Sequence, residues 1–289
     1  MSGLVMDRED VRAAPAALLS EFDAMVARSL PIARLNAEKT TLREQFEAGQ
    51  PYPNLVLDDL FDGEVLDRVL AEFPGGNGRD WVTWDNENEI KQTSRGITGL
   101  PLFTQFLLLQ LSSEPFLEVI RSITGMDDLV WDPLFHGAGL HESRRGGWLN
   151  LHADWTKHPV LPLRRRLNLI IYLNRDWQEE WGGALDLVDF ETRKVGTSVP
   201  PLYNRMVLFP TTEETLHGFP TPITCPPDQT RRSISVYYWS ADRDAVKTAQ
   251  SINFLPGGGT TKRTAFIRSL IPPVALARLE QIRDRLRRR

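Results

Sequence analysis

The sequence predicts an α+β protein with a mainly β core, a sandwich or barrel flanked by helices. Three observations predict it. Between about residues 128 and 240 the apolar residues fall in short alternating runs cut by turn residues. No helical stretch separates those runs, which argues against a parallel doubly wound sheet. Upstream of Gly125, and again after Pro273, the apolar spacing is helical instead.

The first 50 or so residues read as a peripheral helical extension, with Leu18, Leu19, Phe22 and Met25 at helical spacing among charges. Pro51 and Pro53 stop any helix there, and Asn54–Asp58 reads as a short strand. Asp62 is placed to cap a helix presenting Leu66, Val69, Leu70 and Phe73, which Pro74–Gly78 ends as a loop. Trp81, Trp84, Asn86–Asn88 and Lys91 then read as a polar loop before the core, placed to border the pocket. Helices follow over Phe103–Leu111 and Glu114–Ile123, the second ending at Gly125. The clearest strands are Gly147–Asp154, Leu167–Asn174, Ala184–Val188, Arg205–Phe209 and Arg232–Trp239, with turns at Asn174–Asp176 and Gly182-Gly183. The tail holds a Gly257–Gly259 loop and a helix after Pro272-Pro273 with Leu279, Ile282 and Leu286 as its apolar stripe. Six arginines in the last twelve residues read as the solvated face of that docked helix. The chain thus divides into an extension over 1–50, a main domain over 51–245 with its motif core at 130–240, and a C-terminal extension over 246–289.

Composition narrows the function. The chain has 289 residues, 41% hydrophobic and 25% charged, and its 13 Phe, 8 Trp and 5 Tyr exclude disorder as the main state. A net charge of −4 weighs against nucleic acid as a partner. Cys225 stands alone, which excludes an internal disulfide framework and a cysteine zinc site. No run of 18 apolar residues suggests a membrane span. Asp7, Glu9 and Asp10 stand where a signal peptide needs positive charge, so the expected compartment is the cytoplasm.

The informative unit is Asn150-Leu-His152-Ala-Asp154. On a strand, His152 and Asp154 share a face with Trp148 and Asn150, while Leu149, Leu151 and Ala153 face the opposite layer. His217, 63 residues beyond Asp154, is the best third ligand. Two imidazoles and one carboxylate on one face of a metal leave the remaining positions open, as in non-heme Fe(II) oxygenases. Downstream, alternation puts Arg231, Ser233, Ser235 and Tyr237 on one face of a strand, and a guanidinium among hydroxyls makes an anion site. Asn168, Ile170 and Tyr172 share a face of another strand, where the Tyr172 hydroxyl is a second donor to the same anion. A buried Arg–Asp pair with a core tyrosine is the commoner state of such residues taken singly.

The ordered set His152-x-Asp154, Tyr172-Leu-Asn-Arg-Asp-Trp177, Gly182-Gly183, His217-Gly218 and Arg231-x-Ser233 closely resembles the Fe(II)- and 2-oxoglutarate-dependent dioxygenases of the prolyl-4-hydroxylase-like family, in a bacterial branch. The resemblance implies a double-stranded β-helix (jelly roll) with Fe(II) held by His152, Asp154 and His217. It implies 2-oxoglutarate as cosubstrate, its 5-carboxylate on Arg231 with Tyr172 and Ser235 nearby. It further implies O2 and, as an accessory, ascorbate. Two departures stand out. The His217–Arg231 gap of 14 residues is long and holds four prolines, which leaves Arg231 and Arg232 both open as the anchor. The tyrosine some relatives use near the 1-carboxylate has no clear match, and His141 is the nearest candidate, as a site residue or as a structural histidine.

The function implied is hydroxylation of a prolyl or amino-acid-like residue or a related small molecule, with succinate and CO2 as coproducts. Asp154 favours hydroxylation over halogenation, since halogenases of this class lack the carboxylate. The alternatives are a tailoring oxygenase of a secondary metabolite or surface-polysaccharide precursor, a non-catalytic binding or sensing protein on the same fold, and a cupin-type isomerase. Expected partners are a small-molecule or peptidyl substrate, without nucleic acid or membrane. The Trp155–Arg166 stretch is a candidate lid whose His158 and Arg164–Arg166 could meet an anionic substrate. Trp177 and Trp239 read as packing residues, and Cys225 has no assigned role.

Overall fold

The computed structural model describes residues 24–73, 81–242 and 253–254. Leu18, Leu19, Phe22, the Pro74–Gly78 loop, the Gly257–Gly259 loop and the arginine-rich terminal helix lie outside the described residues.

The helices α1 (Ile32–Ala48), α2 (Gly63–Glu72), α3 (Leu102–Leu111) and α4 (Glu114–Thr124) pack on one face of the sheet. The Asp62 carboxylate accepts the Glu64 amide at 2.9 Å, the cap the sequence predicts for α2. Helix α4 ends where Gly125 turns left-handed at φ 70°, a conformation glycine adopts without strain. Leu35, Leu42 and Phe46 of α1 enter the same core as Leu167, Leu169, Ile171, Ile234 and Val236 of the sheet.

The described residues hold thirteen strands: β1 (Leu55–Asp58), β2 (Trp81–Asp85), β3 (Glu89–Ser94), β4 (Val130–Trp131), β5 (Gly139–Ser143), β6 (Trp148–Ala153), β7 (Leu163–Tyr172), β8 (Leu185–Val188), β9 (Val195–Val199), β10 (Arg205–Pro210), β11 (Leu216–Phe219), β12 (Arg231–Ala241) and β13 (Asn253–Phe254). They follow one path, β1-β10-β7-β12-β5-β3-β6-β11-β8-β9, with β2 added to β3, β4 to β12 and β13 to β6. All named strand pairs are antiparallel. Leu185, Leu187 and Val199 pack against Tyr172, Val207 and Phe209, closing β8–β9 over β7–β10 in a nearly closed jelly roll. No described helix is long and apolar enough to cross a membrane.

Three expectations need correction. The segment holding Trp81, Trp84 and Lys91 is the β2–β3 hairpin rather than a loop; its strands are too polar for an apolar alternation to reveal them. Arg164–Arg166 belong to β7 rather than to a lid. Counting back from Asn168 by twos turns Arg164 and Arg166 inward, but a bulge opposite Tyr238/Trp239 breaks the count and buries Arg165 instead. A second irregularity, between the His217–His152 and Phe219–Leu149 pairs, brings Leu149 onto the cavity wall and leaves the Asn150 amide bonded to the Glu87 carbonyl. Leu149 therefore does not face the opposite layer.

Candidate metal centre

His152 and His217 lie directly opposite each other on β6 and β11, their ring centroids 4.4 Å apart. Asp154, one residue past the end of β6, returns to the His152 face. One ligand atom from each of the three residues lies within 4.8 Å of the others. The Nε2-to-carboxylate distances are 3.6 Å from His152 and 3.5 Å from His217. In each imidazole Nδ1 faces a backbone carbonyl two residues back, Asn150 O at 2.8 Å and Thr215 O at 3.2 Å. A carbonyl only accepts, so Nδ1 holds the proton and Nε2 turns its lone pair inward. Burial, then the neighbouring His152, pushes His217 down to about 3, which keeps it a neutral donor. Burial alone would raise the Asp154 carboxyl, but Arg165, His217 and His152 together hold it well below the usual carboxylate range.

Two residues fix that carboxylate. Asn168 donates its side-chain amide to Asp154 Oδ2 at 2.9 Å, and Arg165 Nη2 lies 3.0 Å from the same oxygen. Arg165 Nε donates to Asn168 Oδ1 at 2.9 Å, and its guanidinium stacks 3.3 Å above the Tyr237 ring. Sequence reading missed both roles. Asn168 carried a signal, its shared face with Tyr172; Arg165 carried none, because the bulge hides it.

The inner cavity extends from the triad to β12, where Arg231, Ser233, Ser235 and Tyr237 all line it as the alternation predicts. Arg231 is buried; its Nε donates to Gly183 O at 2.7 Å and its Nη2 to the Tyr172 hydroxyl at 3.1 Å. Among the described residues it has no carboxylate partner. Arg232 points to the other face and bonds Glu142 at 3.3 Å. Gly183 sits at φ 76°, and a Cβ there would stand 3.1 Å from Arg231 Cδ, so this glycine makes room for the guanidinium. Tyr172 is raised by burial, with Arg231 opposing, and stays a neutral phenol. His141 also lines the cavity; burial, then Lys91, lowers it to about 3, and its Nε2 faces Gly137 O at 3.2 Å. His158 is buried against Asp132 at 3.2 Å, away from the triad, as a packing residue. Trp177 and Trp239 are buried, as expected of packing residues.

The residues fit a metal and a dicarboxylate. Two inward imidazole nitrogens and one carboxylate suit a ferrous ion. A buried guanidinium lacking a counter-ion is costly unless an anion enters beside it.

Residues 138–239 match the model of the 2OG-Fe(II) oxygenase superfamily. No curated protein matches the chain. Among solved structures, a prolyl hydroxylase from Trichoplax adhaerens, in complex with a hypoxia inducible factor peptide fragment, is 16% identical over 76% of this chain and 96% of its own, with a TM-score of 0.54. A Pseudomonas putida prolyl-4-hydroxylase is 18% identical over 70% of this chain and 99% of its own, with a TM-score of 0.48.

Proposed function

We infer that this chain, a 2-oxoglutarate-dependent dioxygenase by the 2OG-Fe(II) oxygenase domain at residues 138–239, hydroxylates a prolyl or amino-acid-like residue, or a related small molecule, with succinate and CO2 as coproducts. The observation that carries the reading is the convergence of His152, Asp154 and His217 beside the buried guanidinium of Arg231, which has no carboxylate partner among the described residues. Bound Fe(II) and 2-oxoglutarate supply O2 activation and oxidative decarboxylation. The chain's own residues do the rest. His152, Asp154 and His217 hold the ion, with Asn168 and Arg165 fixing the rotamer of Asp154. Arg231 would hold the distal carboxylate of 2-oxoglutarate, the Tyr172 hydroxyl beside it would add a donor, and Ser235 and His141 line the same chamber. His141 is neutral and gives its Nε2–H to the Gly137 carbonyl, so it lines the chamber without adding a charge. Phe209, Phe219, Ile170 and Leu185 exclude water around these groups. The prolyl part of the reading rests on the motif resemblance and on the shared fold of a prolyl hydroxylase.

Anaerobic titration with Fe(II) and 2-oxoglutarate tests the site. The expected result is the weak visible charge-transfer band of the chelate, lost in His152→Ala and Asp154→Ala. A wild-type protein that shows no band and forms no succinate in air ends the assignment.

A further inference from the structure

A groove of about 350 Å³ leads from the triad to solvent between the β2–β3 hairpin and the Gly137–His141 segment. Its floor is His152 and Asp154, and Trp84 and Trp155 wall it. The side chains of Glu89, Lys91, Thr93 and Arg95 alternate along β3 and its exit, so all four share the face that lines the groove. Arg165 and Tyr237 close the inner end.

The charges in this groove are unequal. Lys91 pairs with Glu89 at 2.9 Å, and Arg165 with Asp154 at 3.0 Å. Arg95 has no carboxylate partner among the described residues and stands exposed at the mouth. Asp154 offsets Arg165 and Glu89 offsets Lys91, so Arg95 carries the uncompensated charge among the described residues that line the groove. A cleft with an excess of one sign between low-dielectric walls concentrates ligands of the other sign. The indoles of Trp84 and Trp155 give an apolar body somewhere to lie.

Resting on the oxygenase reading above, we propose that the substrate is an organic anion: an apolar moiety enters between the two indoles while its acidic group meets Arg95, which acts as a specificity-determining residue. The acidic group is the side chain of an Asp or Glu near the target in a peptide, or the carboxylate of a free amino acid. The aromatic walls and the free guanidinium serve both.

Binding can be read without turnover, by quenching of tryptophan fluorescence in the full chain at low ionic strength. The probes are tripeptides with a central proline flanked by glutamate, glutamine or lysine, and free N-acetyl amino acids as carboxylates or amides. The glutamate peptide or the free carboxylate should bind at least 10-fold more tightly than its neutral partner. That preference should shrink as salt screens it, and Arg95→Glu should reverse it toward the lysine peptide. Preference confined to the peptide arm assigns a peptidyl substrate; preference confined to the free carboxylates assigns a small molecule. Arg193→Glu, on a distant exposed turn, controls for net charge. Equal binding of all probes, preference for the lysine peptide by the wild type, or an equal effect of both charge reversals overturns the proposal. Succinate formation without added substrate is scored separately. If succinate forms while the probes show no preference for anions, only the substrate class is wrong; if no succinate forms, the oxygenase reading itself fails.

Discussion

Removing Arg231 takes away a buried cation whose bonds run to Gly183 O and the Tyr172 hydroxyl, with no carboxylate to be stranded. Arg231→Ala should therefore fold and weaken 2-oxoglutarate by roughly 10- to 100-fold, the worth of a charge-assisted pair. Arg232→Ala, which removes a bond to Glu142 on the outer face, should leave the 2-oxoglutarate KM within about 2-fold and cost stability instead. The reverse ranking in succinate assays would move the anchor to Arg232. Asn168 is not in the candidate ligand set yet donates to Asp154 Oδ2. Asn168→Ala should weaken Fe(II), titrated by the chelate band, by roughly 10- to 100-fold, as loss of an outer partner does. Asn168→Asp should fare worse, because a second carboxylate beside Asp154 repels it.

At the scale of elements, the site depends on two bulges. One sets Leu149 and His152 on the same wall; the other buries Arg165 where plain alternation turns its neighbours inward. Gly218 lets β11 approach β6 closely at the first of these, since a Cβ there would lie 2.7 Å from Asn150 O and 2.8 Å from Leu149 O. Gly218→Ala should cost about 1–3 kcal/mol in urea unfolding and also weaken metal binding, because His217 is the adjacent residue. A mutant at full stability and affinity would show that β11 can move aside. The Asp62 cap is a purely local case: Asp62→Ala should cost about 1 kcal/mol and leave metal affinity unchanged. The helices and the strands β1, β7, β10 and β12 were legible, give or take a few residues, because their apolar spacing is regular. The hairpin β2–β3 and the short strands β5 and β11 were not, since they carry polar site residues in place of an apolar stripe.

For the whole molecule, the jelly roll brings ligands from β6 and β11 into one chamber with Arg231 from β12. Metal and 2-oxoglutarate bind only where these strands are assembled, so they should stabilise the folded chain. At 100-fold excess over Kd a ligand adds about 2.7 kcal/mol, and thermal unfolding should rise by a few degrees with Fe(II) or Mn(II) plus 2-oxoglutarate. The rise should vanish on chelation and in His217→Ala; an equal rise in that variant would place the ligand elsewhere. The sequence by itself pointed to the fold class, to His152, Asp154 and His217 as candidate ligands and to the shared parity of Arg231 and Ser235 along one strand, because period-two alternation is a local property of the backbone. Only the tertiary structure turned Arg231 into the cavity and Arg232 away from it, brought Arg165 and Asn168 onto Asp154, and laid the β2–β3 hairpin along the groove. Those outcomes depend on register and bulges between strands far apart in the chain, and pairing energies across a sheet leave no periodic trace in either partner alone.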